Sequence, residues 1–174
     1  MRIAAVALLV SMTLLCGQEN QPPAAKPADV ASVEAILNAV YDIISGPAGK
    51  ARDWDRFRSL MRPDARMAAT RQRPDGTVVT RAFSVEEFIA GSTKALAEQP
   101  FYERGVANHV DRFAHIAQVF STYESRRAPE AKPFVRGINS FELLNDGTRW
   151  WILTISWEEE SPVNPLPKEF EPAK

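Results

Sequence analysis

The sequence has a single cysteine, Cys16, and only two histidines among its 174 residues. One cysteine cannot form a disulfide within the chain, and so few sulfur and imidazole ligands offer no zinc-binding spacing. The sequence also lacks a phosphate-binding glycine loop, a dinucleotide-binding fingerprint and a Gly-x-Ser-x-Gly nucleophile motif. We therefore expect no metal site and no cofactor.

An excess of one charge sign is missing as well. The 21 Lys and Arg residues nearly balance the 22 Asp and Glu residues, and the formal net charge is −1. Binding to a nucleic acid draws much of its free energy from a basic surface. The composition therefore argues against nucleic acid as a partner.

No hydrophobic run is long enough to cross a bilayer. The most apolar stretch, residues 3–15, follows Met1-Arg2 and reads IAAVALLVSMTLL, whereas a membrane-spanning helix needs about 20 apolar residues. A basic start, a short apolar stretch and a polar continuation are typical of a secretory signal peptide. We therefore predict a signal peptide over residues 1–16 and export of the chain to the periplasm or the extracellular space.

Cys16 ends this apolar run and allows two interpretations. It either lies at an ordinary cleavage position or becomes the lipidated first residue of a bacterial lipoprotein, because TLLCGQ resembles a lipoprotein signal. Leu15 departs from that signal, which usually has Gly, Ala or Ser there. Lipidation would tether the domain to a membrane without any segment spanning it.

Proline content marks the borders of the folded domain. Residues 17–28 are polar and contain three prolines, which is typical of an extended linker, and residues 161–174 contain four. We predict one domain over residues 29–160, followed by a C-terminal tail that lies along the surface.

Three helices are predicted in the first part of the domain. Apolar residues from Val33 to Ile44 follow helical spacing after the capping-type residue Asp29, and a short second helix starts with Asp53 as its cap. The third helix begins with a Ser84–Glu87 capping box.

The remaining segments have the patterns of strands. Residues 65–70 and 76–83 flank a Pro-Asp-Gly turn and predict a hairpin, and four strand-like runs follow Pro100. Asp146-Gly147 joins the last two runs and is a strong hairpin signal. Early helices and late antiparallel strands predict an α+β fold with the helices on one face of a curved sheet.

The last strand, RWWILTISWEEE, is unusually rich in tryptophan. Strict alternation places Trp151, Leu153, Ile155 and Trp157 on one face and Trp150 on the other. Burial of each such side chain contributes about 1.5–3 kcal/mol. This face must therefore be core, pocket wall or both, and we predict that Trp151 and Trp157 contact a ligand.

Three segments, IAQVFSTYESR, RGINSFELLNDGTRWWILTISWE and SVEEFI, resemble secreted bacterial members of the nuclear transport factor 2-like (SnoaL-like) superfamily. The resemblance covers residues 30 to about 160. It implies a cone-shaped roll, with a curved antiparallel sheet, about three helices on its concave face, and a pocket between them. It also implies a homodimer through the outer face of the sheet. Members include isomerases, dehydratases and polyketide cyclases, but also proteins without catalysis, so the resemblance assigns no activity.

His109 and Asp111 are the strongest acid–base candidates. They lie two positions apart on one predicted strand and therefore share a face, where the carboxylate could orient the imidazole. The alternative is a surface ion pair beside Arg112.

Further polar residues on the following strands are candidate ligand contacts. Tyr123 could direct its hydroxyl into the cavity as a hydrogen-bond donor, or be a half-buried strand residue. Arg136 and Asn139 lie on the next strand, where Gly137 suggests a bulge that could redirect them. An arginine inside a closed cone would bind a carboxylate, whereas an arginine on the outer face would only make that face more soluble.

These observations leave three hypotheses about function. The first is an exported or lipid-anchored domain that binds a small, largely apolar molecule in its cone. The alternative is a cofactor-independent isomerase, dehydratase or cyclase that uses His109, Asp111 or Tyr123. The third is a non-catalytic interaction protein that uses its outer sheet face.

Overall fold

The computed structural model describes residues 21–172. The predicted signal peptide and Cys16 lie outside the described residues, so both stay predictions. The described part contains three α-helices, α1 (Val33–Ile44), α2 (Trp54–Leu60) and α3 (Val85–Glu98), and six strands, β1 (Met61–Gln72), β2 (Val78–Ser84), β3 (Tyr102–Phe113), β4 (Ile116–Arg126), β5 (Val135–Asn145) and β6 (Trp150–Glu159). Short 3₁₀ turns cover Pro27–Asp29 and Lys168–Phe170.

The six strands form one open sheet in the order β2-β1-β6-β5-β4-β3. Every neighbouring pair is antiparallel except β1 and β6, which are parallel. The predicted α+β class is confirmed, but the sheet is mixed rather than purely antiparallel. Strands β1 and β6 are far apart in the sequence, so no hairpin forces them to run in opposite directions.

The helix starts follow the capping residues in the sequence. Asp53 accepts a hydrogen bond from the Arg56 amide at 2.9 Å, and the Ser84–Glu87 capping box is formed in full. Helix α1 starts later than the sequence pattern predicts, with Ser32 as its cap. The carboxylate of Asp29 instead forms a 2.7 Å ion pair with Arg56, which ties the start of the domain to α2.

The core lies between the helices and one face of the sheet, here called the inner face; the opposite face is the outer face. Helix α1 buries seven of its 12 residues, whereas α3, with 14 residues, buries only Ile89. Its Val85 and Phe88 pack against the core only in part. Helix α3 therefore covers the inner face without filling the space beneath it.

Strand β6 contains a β-bulge that changes the face of its tryptophans. Leu143 pairs with Ile152 and Glu142 pairs with Thr154, so Leu153 is an extra residue between them. Trp150 and Ile152 therefore share the buried inner face with Ile155. The strict alternation predicted for this strand is wrong.

The tail that follows β6 crosses the outer face. The ring of Phe170 packs against Phe120 and His109, with centroid distances of 5.4 and 5.8 Å. Thr122 Oγ1 donates a 2.6 Å hydrogen bond to the carbonyl oxygen of Phe170, and Arg136 forms a 2.7 Å ion pair with Glu171. The tail thus shields part of the outer face from water.

Among residues 21–172, no helix combines the length and the apolar character that a transmembrane helix requires.

Candidate functional site

A cavity of about 310 Å³ lies between α1, α3 and the inner face of the sheet. Most of its wall is apolar and much of it is aromatic, with Phe88, Leu96, Phe101, Phe134, Phe141 and Trp157 among the contributing side chains. Six polar side chains also reach the wall: Ser92, Glu103, Tyr123, Ser125, Asn139 and Glu159. A mainly apolar cavity with a few polar groups is typical of small-molecule sites.

The loop after α1 positions Glu103 at the start of β3. The hydroxyl of Ser45 accepts a 2.9 Å hydrogen bond from the amide of Glu103 and donates a 3.1 Å hydrogen bond to its carbonyl oxygen. Gly46 and Phe101 pair through two backbone hydrogen bonds of 2.7 and 3.0 Å. Buried Arg52 fixes this loop by donating to backbone carbonyls, including that of Gly46 at 2.9 Å.

The carboxyl group of Glu103 is held by two neutral donors. Ser125 Oγ donates to Oε2 at 2.6 Å, and Asn139 Nδ2 donates to Oε1 at 3.3 Å. Burial raises the pKa of Glu103 above its ordinary value, and these two hydrogen bonds oppose the rise. Glu103 is therefore a buried carboxyl group with a raised pKa in the wall of the cavity.

A second polar contact joins Asn139 to α1. Its Nδ2 also donates to Tyr41 Oη at 3.2 Å, and Tyr41 Oη lies 2.7 Å from Ser121 Oγ. Burial raises the pKa of Tyr41, so this hydroxyl stays protonated. Gly105 makes room for this arrangement, because a Cβ atom there would lie 2.9 Å from the ring of Tyr41.

Tyr123 is one of the polar side chains that line the cavity. The residue is only 3% exposed, and no hydrogen-bond partner for its Oη is found within the described residues. Burial, and then the nearby carboxyls of Glu103 and Glu159, raise its pKa, so the hydroxyl remains a hydrogen-bond donor. A hydroxyl that makes no hydrogen bond to the described residues is available to a ligand or to water.

Three of the residues predicted to bind a ligand line this cavity: Tyr123, Asn139 and Trp157. The ring of Trp157 stacks on Phe83 at a centroid distance of 6.0 Å with an interplanar angle of 4°. It also contacts the ring of Phe88 on α3 edge-on. Trp157 thus lines the cavity and also packs against α3.

Two other predicted ligand residues, Trp151 and Arg136, lie on the outer face. The indole Nε1 of Trp151 donates a 2.6 Å hydrogen bond to Asp146, and the bulge in β6 explains this orientation. Arg136 forms ion pairs with Glu160 and Glu171. Neither residue lines the cavity, so a ligand-binding role for Trp151 and Arg136 stays a prediction.

The predicted bulge at Gly137 is also absent. Strand β5 pairs with β4 without a shift from Val135 to Leu144. Gly137 is required for a different reason, because a Cβ atom there would overlap the carbonyl oxygen of Glu158 and lie 2.7 Å from Tyr123 Oη. The glycine makes room for the tyrosine that faces it across the strands.

His109 and Asp111 do share a face, with 3.5 Å between Nε2 and Oδ2. That face is the outer one, where their side chains are 56% and 79% exposed. The imidazole contacts Phe170 of the tail, and neither residue lines the cavity. Their catalytic role stays a prediction, but the structure brings them together away from the enclosed site.

Glu103 was missed by the sequence analysis. It lies in the run FYERGV, where a glutamate next to an arginine has the pattern of a solvated strand end. The signal that could have identified it is its register, since Glu103 pairs with Ser125 and Gly105 pairs with Tyr123 on neighbouring strands. That register could not be derived from the sequence because a bulge between Gly105 and Ala107 shifts it.

Comparison with solved structures identifies the fold. A protein of unknown function with a cystatin-like fold from Nostoc punctiforme superposes with a TM-score of 0.57 at 10% identity, covering 79% of this chain and 94% of that one. An uncharacterized protein with a cystatin-like fold from Caulobacter vibrioides gives 0.53 at 11% identity, covering 76% and 90%. A nuclear transport factor 2-like protein of unknown function from Silicibacter pomeroyi gives 0.49 at 16% identity, covering 75% and 94%.

The chain shares the cystatin-like fold of the first two structures, so the predicted resemblance is confirmed at the level of fold. No protein-family model matches the sequence, and comparison with curated proteins gives no match. Within residues 21–172, no group of three or more His, Cys, Asp or Glu side chains is placed to hold a metal ion.

Proposed function

We propose that this protein binds a small, largely apolar molecule in the cavity beneath α3. The observation that carries the proposal is the cavity itself, which has a mainly apolar and aromatic wall that a few polar side chains interrupt, among them Tyr123, whose hydroxyl makes no hydrogen bond to the described residues. A molecule with an apolar body and one polar group would satisfy it and cover the aromatic wall.

The dimensions of the cavity agree with this proposal. Its volume of about 310 Å³ lies at the lower end of the range of ligand pockets, roughly 300–1,000 Å³. The wall includes core residues, among them the fully buried Phe57 and Phe141. A site formed by core residues in this way is largely shaped before the ligand arrives.

A cavity-filling substitution tests the proposal. The purified chain is screened by thermal shift against hydrophobic small molecules, and the affinity of each hit is measured by calorimetry. We expect Ser92→Trp, which places an indole in the cavity wall, to weaken binding by at least about tenfold, since it removes most of the free volume. Lys94→Trp is the matched control, because Lys94 is exposed on the same helix.

Both variants should retain the unfolding midpoint of the wild type within a few degrees. Equal binding by Ser92→Trp and wild type would place the ligand elsewhere, and the absence of any hit in a broad screen would overturn the proposal.

The geometry supports a second candidate function, a cofactor-independent acid–base enzyme. Glu103 is a buried carboxyl group with a raised pKa, and Tyr123 offers a hydroxyl donor in the same cavity. A carbonyl substrate that accepts a hydrogen bond from Tyr123 could lose a proton from the adjacent carbon to Glu103 and regain it at another position. The acid–base pair is then Glu103 and Tyr123 rather than His109 and Asp111.

Exchange of hydrogen for deuterium tests this second candidate. Carbonyl compounds that bind are incubated with the protein in deuterium oxide, and exchange next to the carbonyl is followed by NMR. We expect Glu103→Gln to slow the exchange by at least about a hundredfold, while Glu142→Gln on the outer face leaves it unchanged. Exchange no faster than in buffer would reject catalysis and leave ligand binding intact.

A further inference from the structure

The charged residues of the cavity wall are all of one sign. Glu103 and Glu159 line it, whereas no Lys, Arg or His is among the residues that form the described wall. Neither carboxylate has a basic side chain within salt-bridge distance in residues 21–172. The described wall therefore contains two carboxyl groups and no basic side chain to neutralise them.

Arg127 lies beside the cavity wall but makes its contacts outside the cavity. The guanidinium of Arg127 lies over the ring of Phe134 at 4.1 Å and donates a 3.1 Å hydrogen bond to the carbonyl oxygen of Pro100. Arg127 is exposed and does not line the cavity. Its position shows that an aromatic ring of the wall already attracts a cation from outside.

The polar residues that could contact a ligand in the cavity include Tyr123, Glu103 and Glu159. The hydroxyl of Tyr123 makes no hydrogen bond to the described residues. Its pKa is raised first by burial and then by the carboxyl groups of Glu103 and Glu159. Glu103 is held by Ser125 and Asn139, which leaves acceptor capacity on its two oxygens, since each carboxylate oxygen can accept more than one hydrogen bond.

We propose that the cavity selects an organic ammonium ion, namely a protonated primary or secondary amine on an apolar body, over neutral and anionic molecules of the same shape. This inference rests on the proposed binding function and specifies its ligand class. The ammonium group donates to Glu103, and Glu159, an exposed residue of the same wall, adds a second carboxylate. The apolar body lies against the aromatic side chains.

Physical chemistry favours the amine for two reasons. Hydrogen bonds between charged partners are about twice as strong as neutral ones in a water-poor site, and aromatic rings attract cations. An anion of the same shape would gain no positive partner in this wall, and it would lie beside Glu103, so its desolvation would not be offset.

A series of isosteric ligands tests the inference. Calorimetry at neutral pH measures the affinities of phenylpropylamine, phenylpropanol and phenylpropanoate for the purified chain. We expect the amine to bind about tenfold or more tightly than the alcohol, and the carboxylate to bind most weakly. Trimethylation of the amine retains the charge but removes its N–H donors, so part of the advantage should be lost.

Glu103→Gln is the decisive variant, with Glu142→Gln as the matched control on the outer face. The amine should lose most of its advantage in Glu103→Gln, whereas the affinity of the alcohol should change by less than about threefold. In Glu142→Gln the whole series should keep its order. Circular dichroism confirms that each variant is folded.

The outcomes separate the inference from the proposed function. An alcohol that binds as tightly as the amine, or an amine advantage that survives Glu103→Gln, would overturn the inference while ligand binding stands. Failure of all three compounds, together with failure of the broad hydrophobic screen, would overturn both.

Discussion

At the scale of single residues, the site depends on two glycines that give tyrosines their space. Gly105 and Gly137 each face a tyrosine side chain that is largely buried, Tyr41 and Tyr123. Neither glycine is needed for a turn; each is needed because a methyl group would occupy the volume of the neighbouring ring. The positions of both tyrosine rings therefore depend on the absence of a side chain at the glycine that each ring faces.

Substitution of Gly137 measures this dependence. In Gly137→Ala the new methyl group collides with the carbonyl oxygen of Glu158 and with Tyr123 Oη. We expect the free energy of unfolding to fall by about 1–3 kcal/mol, as for other overpacked interior positions. Urea unfolding followed by tryptophan fluorescence provides the measurement.

Gly91 supplies the matched control. It lies inside α3, and a Cβ atom there would meet no other atom within 4 Å. Gly91→Ala should raise the free energy of unfolding by roughly 0.5–1 kcal/mol, since alanine has the higher helix propensity. A Gly137→Ala variant as stable as the wild type would contradict the packing described for Tyr123.

At the scale of elements, local sequence chemistry predicted where helices and hairpins begin. The caps at Asp53 and Ser84 depend on contacts three residues away, so they can be read from the sequence. The Asp146-Gly147 turn is equally local, because Asp146 accepts hydrogen bonds from the amides of Thr148 and Arg149. Such features do not depend on the rest of the fold.

The faces of the strands were less predictable, because they depend on register across the sheet. One extra residue, Leu153, moves Trp150 to the inner face and Trp151 to the outer face. Trp157 lines the cavity, whereas Trp151 and Arg136 do not, and the ligand contacts predicted for all three stay predictions. A bulge is a property of two paired strands, and a period-two pattern in one strand does not reveal it.

At the scale of the whole molecule, the C-terminal tail completes the outer face. Phe170 contacts residues on β3 and β4, and its backbone carbonyl accepts a hydrogen bond from Thr122. Beyond the tail, Phe113 and Ile116 remain 78% and 60% exposed at the end of the β3–β4 hairpin. The homodimer predicted for this face stays a prediction, and sedimentation tests it, since a monomer at micromolar concentration contradicts it.

A pair of substitutions in the tail tests how firmly it is attached. We expect Phe170→Ala to lower the free energy of unfolding by about 1 kcal/mol, because it removes an apolar contact with Phe120. Val163→Ala is the matched control, since Val163 belongs to the same tail and is exposed. Equal free energies of unfolding for the two variants in urea would show that the tail adds nothing to stability.

Helix α3 closes the cavity although Ile89 is its one buried residue. A helix with so few buried side chains moves away from the sheet at a small free-energy cost. The amide hydrogens of α3 should therefore exchange with solvent sooner than those of α1, which buries seven residues. Entry and escape of an occupant would then follow the frequency of this opening rather than the rate of diffusional encounter. A ligand that contacts both α3 and the inner face of the sheet would dissociate more slowly. It would also slow the exchange of the amide hydrogens of residues 85–98.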